Sequence, residues 1–327
     1  MLTAIIQVVA GFLLLVWGAD RLVAGASALA RNLGVSPLII GLTIIGFGTS
    51  APELVVSAVA TLQGNAGLAV GNAIGSNIAN MGLVLGATAL IYPLRLESTA
   101  LKREYPMLML IMLVCFLMAL NGSYARWEGW LLLSALFAVI VWIVRIGLRR
   151  PPSDPLAEEF EAEIPKDMPT KRAAFWLLVG LIVLPVSSQF LVTGAVTIAR
   201  ILEVSDVVIG LTVVALGTSL PELATAITAA LRKEDDLAIG NIIGSNIFNL
   251  LGVLGIAAVL KPVDIMPIIL ARDFPVMFLV TGALYLMASD FRGSGRIGRR
   301  SGGLLLFIFV TYFLVVWMSA GNSELLL

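Results

Sequence analysis

Two glutamates, Glu53 and Glu222, stand in stretches otherwise apolar enough to lie in lipid. Glu53 belongs to IIGLTIIGFGTSAPEL, residues 39–54, and Glu222 to VIGLTVVALGTSLPEL, residues 208–223, which match at 10 of 16 positions with an offset of 169. A carboxylate at mid-bilayer costs roughly 2.5–3.5 kcal/mol on insertion scales and is functional by default. Two at equivalent positions point to one shared site. A local reading competes with this, because Ser50-Ala51-Pro52-Glu53 and Ser219-Leu220-Pro221-Glu222 both fit a capping box in which Glu closes a helix start. Capping leaves unexplained why a helix should start in mid-membrane, so the ligand reading is preferred.

The neighbouring residues supply more oxygen. Gly46, Gly48 and Pro52 interrupt the first stretch and Gly217 and Pro221 the second. Proline removes a backbone donor and leaves carbonyls free, which lipid tolerates only inside protein or around a wet cavity. Thr49, Ser50, Thr218 and Ser219 add hydroxyls. A second pair of blocks follows at the same offset, AVGNAIGSNIANMGLVLG from 69 and AIGNIIGSNIFNLLGVLG from 238, identical at 12 of 18 positions. It brings Gly71, Asn72, Gly75, Ser76, Asn77 and Asn80, with Gly240, Asn241, Gly244, Ser245, Asn246 and Asn249 in the copy. The glycines are expected to pack span 3 closely on span 2. Ser76 and Asn80, and likewise Ser245 and Asn249, share a helix face at i and i+4, where they serve either interhelical hydrogen bonding or the cation site.

Two carboxylates, several hydroxyl or amide oxygens and free carbonyls make an all-oxygen shell. Ca2+ accepts six to eight oxygens in irregular geometry and Mg2+ demands a tight octahedron, so Ca2+ or Na+ fits better. Protons compete for paired carboxylates. The chain has no histidine and one cysteine, Cys115, which excludes His/Cys metal sites and an intrachain disulfide.

The elements that position these groups follow from composition. With 59% hydrophobic residues, 13% charged residues and a mean hydropathy of +1.00, the chain is an integral membrane protein. Zero net charge argues against a nucleic-acid partner. Ten apolar segments, about 2–19, 36–61, 68–92, 105–121, 127–147, 173–199, 205–231, 237–260, 273–289 and 302–320, are long enough for helical spans. The first reads as a retained span, without the basic n-region of a signal peptide.

The Pro- and Glu-rich stretch 148–172 reads as a short cytoplasmic linker. It divides a first five-helix repeat, 1–147 with its motif at 39–86, from a second, 173–327 with its motif at 208–255. Of the 21 Lys and Arg, 17 fall in the loops after spans 1, 3, 5, 7 and 9, which places both termini on the non-cytoplasmic side. Five spans are an odd number, so the second repeat runs through the membrane upside down relative to the first. Inverted repeats with interrupted spans at equivalent positions point to a secondary transporter with a midplane site.

The paired GTSxPE and GNxxGSNI blocks make the chain similar, over nearly its whole length, to the sodium/calcium exchanger (calcium:cation antiporter) superfamily in its short bacterial YrbG-like branch. The resemblance implies alternating access, with Ca2+ and Na+ taking one central site in turn. It implies Glu53 and Glu222 as principal ligands, oxygens from Thr49, Ser50, Ser76, Thr218, Ser219 and Ser245, backbone carbonyls from Gly46 and Ala215, and Asn80 and Asn249 flanking the site. Some members carry an acid where Asn249 stands, so this site holds two formal negative charges.

The expectation is therefore an all-α polytopic membrane protein of ten helices in two inverted repeats, exchanging Ca2+ for Na+ across a prokaryotic inner membrane. Its surroundings are lipid and inorganic cations, with no cofactor and no obligatory protein partner. Spans 1 and 6, with Asp20 and Gln189 at equivalent positions, are candidate gating elements. The rival readings are a Ca2+/H+ antiporter on the same fold and a cation channel lined by the two glutamates. A membrane enzyme is disfavoured by the missing histidine base and by the absence of G-x-S-x-G and HExxH.

Overall fold

Lipid offers the backbone no hydrogen bonds, so apolar runs of this length must satisfy their own polar groups as helices. The computed structural model follows this rule; it describes residues 1–35, 40, 44, 48–95, 101–147, 164–165, 167–288 and 296–320. In chain order the described elements are α1 (Leu2–Asn32), α2 (Ala51–Leu62), α3 (Ala66–Ile91), β1 (Leu94–Arg95), α4 (Leu101–Ala119), β2 (Ser123–Tyr124) and α5 (Arg126–Gly147). There follow α6 (Thr170–Ile201), α7 (Asp206–Thr218), α8 (Leu220–Leu231), α9 (Asp235–Phe248 continued by Leu254–Leu260), β3 (Val263–Asp264), α10 (Phe274–Ala288), β4 (Arg296–Ile297) and α11 (Arg299–Ala320).

Seven described helices, α10 counted with the π turn Ile269–Asp273 that leads into it, are long and apolar enough to span a membrane, and α7 with α8, bent by 40° at Ser219, makes an eighth. Two shorter apolar helices, Ala51–Leu62 and Glu104–Ala119, fall at expected spans 2 and 4 but are by themselves too short to span a membrane. The first half of expected span 2 lies mostly outside the described residues, as does most of the 148–172 linker.

The elements repeat with the sequence. From α2 through β1 every boundary has its counterpart 169 residues later, in α8 through β3, including π turns at Asn80–Val84 and Asn249–Val253. The two ladders cross between halves: Leu94 pairs with Ile297 and Val263 with Tyr124, both antiparallel. Each half thus lends a strand to the other.

α1 and α6 are 31 and 32 residues long, roughly 46–48 Å at 1.5 Å per residue, against about 30 Å of hydrocarbon. They therefore outrun the expected 2–19 and 173–199. Asp20 does not end a helix, since α1 continues to Asn32, and both Asp20 and Gln189 are exposed on their helices.

Burial from lipid gives little hydrophobic drive, so close packing holds membrane helices together. Gly11, Gly18 and Gly25 of α1 lie so close to Leu191, Val183 and Leu177 of α6 that an added Cβ would sit 2.9, 2.9 and 2.5 Å from opposing atoms. Numbers rise along α1 while they fall along α6, so these equivalent helices run antiparallel. Gly71 and Gly75 make the same kind of contact. Their partners, however, are Val207, Leu211 and Ala215 of α7, in the other half, rather than span 2 as expected. Outward faces carry Leu13, Phe137, Ile182 and Phe307, each more than 60% exposed and fit for lipid.

Two turns show the repeat holding its geometry where the residue changes. Gly34 and Gly64 close helices at φ +86°, and the equivalent Glu203 and Lys233 adopt φ 54° and 66°. The hydrogen bonds match as well: Gly64 N–H to Thr61 O and Lys233 N–H to Ala230 O, both 3.0 Å.

Candidate cation site

The two broken stretches place their glutamates at helix starts. Ser50 is the N-cap of α2 and Ser219 that of α8, with the proline in the first turn of each, where its missing N–H costs nothing. Glu53 and Glu222 fall in those first turns, where the helix dipole favours a carboxylate. Neither serine makes a side-chain cap. The Ser50 hydroxyl instead donates to Glu222 Oε1 at 3.0 Å, 172 residues away. The capping-box reading therefore fails at the serine.

Both glutamates are fully buried, and they act on one another electrostatically. Thr218 of the second half sits beside Glu53, while Thr49 and Ser50 of the first half and Ser245 sit beside Glu222. The halves are thus interleaved around one pair of carboxylates. Among the described residues, Glu53 Oε1 and Oε2, Glu222 Oε2, Ser219 Oγ, Ser245 Oγ, Asn80 Oδ1 and Asn249 Oδ1 are buried without a hydrogen-bond partner. Unpaired buried charge costs several kcal/mol per ion, about what a bound cation would offset.

A third buried carboxylate gives the contrast. Asp273, expected at a span end, is fully buried in a π turn, but it accepts from Arg272 Nε at 2.7 Å and from Tyr312 Oη at 3.0 Å. It is paired by its own chain, whereas Glu53 is not.

α3 and α9 complete the surround. Asn72 Oδ1 accepts the Thr218 hydroxyl at 3.1 Å and the Ser76 hydroxyl at 3.5 Å, and Ser76 Oγ lies 3.4 Å from Thr218 Oγ1. Asn77 Nδ2 donates to the Asn246 carbonyl at 3.2 Å and Asn246 Nδ2 to the Asn77 carbonyl at 3.3 Å, a reciprocal clasp between α3 and α9. Asn80 spends its amide N–H on Asn246 Oδ1 at 3.0 Å, which leaves its oxygen available.

Of the twelve expected ligands, eleven lie among the described residues, on α2, α3, α7, α8 and α9 or at the breaks before α2 and α8. Gly46 lies outside them. The Ala215 carbonyl is not idle: it accepts the Ser219 N–H at 3.1 Å and the Thr218 hydroxyl at 3.4 Å. Sequence reasoning left out Asn72, Asn241, Asn77, Asn246 and Ser57 as working residues. The signal was present, because the four asparagines recur in both blocks and Asn72 precedes Ser76 by one helical turn. Among the described residues no trio of His, Cys, Asp or Glu converges, so a cation here meets two carboxylates and neutral oxygens.

The sequence profile of the family described as "Sodium/calcium exchanger protein" matches residues 3–145 and 172–318. The chain is 50% identical over 319 residues to the "Putative antiporter CaxA" of Alkalimonas amylolytica, covering 98% of this chain and all of that one. It is 41% identical to the "Inner membrane protein YrbG" of Escherichia coli (strain K12), with 98% of each chain covered. It is 31% identical to the "Sodium/calcium exchanger MaX1" of Methanosarcina acetivorans, covering 94% and 96%. Among solved structures, the sodium-calcium exchanger NCX_Mj matches with a TM-score of 0.67 at 31% identity, covering 96% of this chain and 98% of that one.

Proposed function

The chain belongs to the family of sodium/calcium exchanger proteins, and from that premise we propose that it exchanges Ca2+ for Na+ by alternating access at the site between its two halves. The family is one of cation antiporters, not of enzymes. The observation that carries the finer reading is the Ser50 to Glu222 bond across halves, beside buried carboxylate oxygens that have no partner among the described residues. Glu53 and Glu222 are the charged ligands in this reading. Thr49, Ser50, Thr218, Ser219, Ser76 and Ser245 offer neutral oxygens, the carbonyl of Gly46 and, once it releases the Thr218 hydroxyl it accepts, that of Ala215 complete the shell, and the free oxygens of Asn80 and Asn249 flank it.

Two fixed negative charges also account for exchange. One Ca2+ neutralises the pair, and Na+ ions do so together. An empty site would bury two like charges in low dielectric, so the protein reorients at lower cost when loaded than when empty. Obligatory exchange follows.

The topology in this reading is ten helices in two inverted five-helix repeats, 1–147 and 173–327, joined by the 148–172 linker. It sits in the inner membrane with both termini on the non-cytoplasmic side. The antiparallel run of α1 against its equivalent α6, and the crossed ladders, support the inversion.

The test is Ca2+ uptake by purified protein in liposomes loaded with Na+ or with choline at equal pH, with Glu53→Gln as control. Uptake that needs internal Na+ and vanishes in the variant is expected. Uptake driven instead by an imposed pH gradient without Na+ would replace the reading with Ca2+/H+ exchange, and flux with no counter-ion requirement would replace it with a channel.

A further inference from the structure

The two equivalent asparagines beside the site, Asn72 and Asn241, are not equally braced, and the difference traces to one residue. Asn72 Nδ2 donates to Ser57 Oγ at 3.0 Å and to the Glu53 carbonyl at 3.3 Å. A carbonyl only accepts, so this contact settles which end of the amide is nitrogen and leaves Oδ1 facing Thr218 and Ser76. Asn241, the equivalent on α9, keeps only the oxygen contact. Its Oδ1 accepts the Thr49 hydroxyl at a long 3.5 Å, and its Nδ2 is buried without a partner among the described residues. The residue equivalent to Ser57 is Ala226, fully buried and without a hydroxyl.

We propose that Asn72, locked by Ser57, is a positioning residue that fixes the Thr218 hydroxyl beside Glu53, and that Ala226 leaves Asn241, and with it the Thr49 hydroxyl, adaptable. The inference rests on the exchange reading above.

The chemistry lies in the hydroxyl protons. A hydroxyl is a cation ligand through its lone pairs, so its proton must point elsewhere. Of the two acceptors in reach of the single Thr218 proton, Asn72 Oδ1 at 3.1 Å is nearer than the Ala215 carbonyl at 3.4 Å; with the proton on Asn72, the lone pairs of Thr218 turn away from it and are left for a ligand beside Glu53. That direction holds only while the amide cannot flip, and Ser57 with the Glu53 carbonyl prevents the flip. In the other half nothing among the described residues holds the Asn241 nitrogen, so Thr49 is aimed less firmly. The Thr218 hydroxyl is thus preorganised and the Thr49 hydroxyl adjusts, an arrangement suited to a site that takes ions of different charge in turn.

The experiment compares wild type, Ser57→Ala and Ala226→Ser in the Na+-loaded liposome assay, reading the KM for Ca2+ and the maximal rate separately, with melting temperature measured on the same preparations. Losing one hydrogen bond of about 1 kcal/mol corresponds to roughly a fivefold change. Ser57→Ala is expected to raise the KM for Ca2+ about fivefold with the maximal rate within about twofold. Ala226→Ser, which supplies Asn241 with the missing acceptor, is expected to lower it several-fold. A Ser57→Ala protein that only melts earlier, with KM unchanged, would reduce Ser57 to a structural hydroxyl and overturn the proposal. An unchanged KM in Ala226→Ser would overturn its second half. If wild type itself shows no Na+-dependent uptake, the exchange reading fails instead, and the two failures are told apart.

Discussion

Ser50 donates to Glu222 Oε1 at 3.0 Å, whereas its equivalent Ser219, also an N-cap, is buried with no partner among the described residues and leaves both oxygens of Glu53 unbonded. Chemically equal residues therefore do unequal work. Ser50→Ala removes a hydrogen bond to a charged group, worth about 1.5–3 kcal/mol, and should weaken Ca2+ binding by ten- to a hundredfold. Ser219→Ala removes no hydrogen bond and takes only one neutral oxygen from the proposed shell, so it should cost less than Ser50→Ala. Isothermal titration of both variants with Ca2+ checks the ranking, and equal losses would contradict it.

Arg272 and Asp273 form an ion pair inside the protein, extended by Tyr312 and by Arg272 Nη1 to Ser319 Oγ at 2.8 Å. Breaking a buried pair from one side strands a charge at about 3–5 kcal/mol. Arg272→Met should therefore lower the melting temperature in detergent markedly. Adding Asp273→Leu should recover much of the loss, because the stranded charge goes with it. Thermal unfolding of the single and double variants gives the answer.

Gly217 lies under the ring of Phe12, and a Cβ there would sit 1.8 Å from its Cε1. Gly48, at the equivalent position, lies against Val23, with a Cβ 2.3 Å from Cγ2. α1 thus rests on both breaks. Gly217→Ala should push α1 outward and cut Na+-dependent Ca2+ uptake about tenfold or more, and Phe12→Ala in the same chain should restore most of it. A double-mutant cycle on uptake rate tests that coupling.

Lys233 adopts φ 66° where its counterpart Gly64 has φ +86°. An L-residue pays about 1–2 kcal/mol in this region, and glycine avoids that at an entropic cost of about 0.5–1 kcal/mol. Lys233→Gly is expected to stabilise the protein by up to about 1 kcal/mol with exchange unaltered. Thermal unfolding and the uptake assay together check it.

Much of the site was legible because the same pattern is written twice. Glu53 and Glu222 stood out by chemistry, as charges in apolar runs, and Thr49, Ser50, Thr218 and Ser219 by adjacency. Asn72 and Asn241 are equally visible in the repeated blocks, but the sequence alone assigns them no role of their own, since an amide's partner depends on what packs against it. Span ends were legible for α3 and α9 and misjudged for α1 and α6, because Asp20 and Arg21 read as an interface although a helix continues through them. The partner of Gly71 and Gly75 was misassigned for a related reason. A small-residue spacing marks a close contact without naming what it contacts.

The amino-acid sequence by itself determined the membrane class, the helical secondary structure, the duplication and the two carboxylates, because each depends on composition or on neighbours along the chain. Only the tertiary structure decided that Ser50 serves Glu222, that Asp273 is neutralised within the fold while Glu53 is not, and that Asn72 is locked where Asn241 is loose. The reason is physical. Hydrogen bonds reach about 3 Å in space but here join residues as distant in sequence as Ser50 and Glu222, 172 apart. A repeat makes two residues alike, and only packing decides which of the two finds a partner.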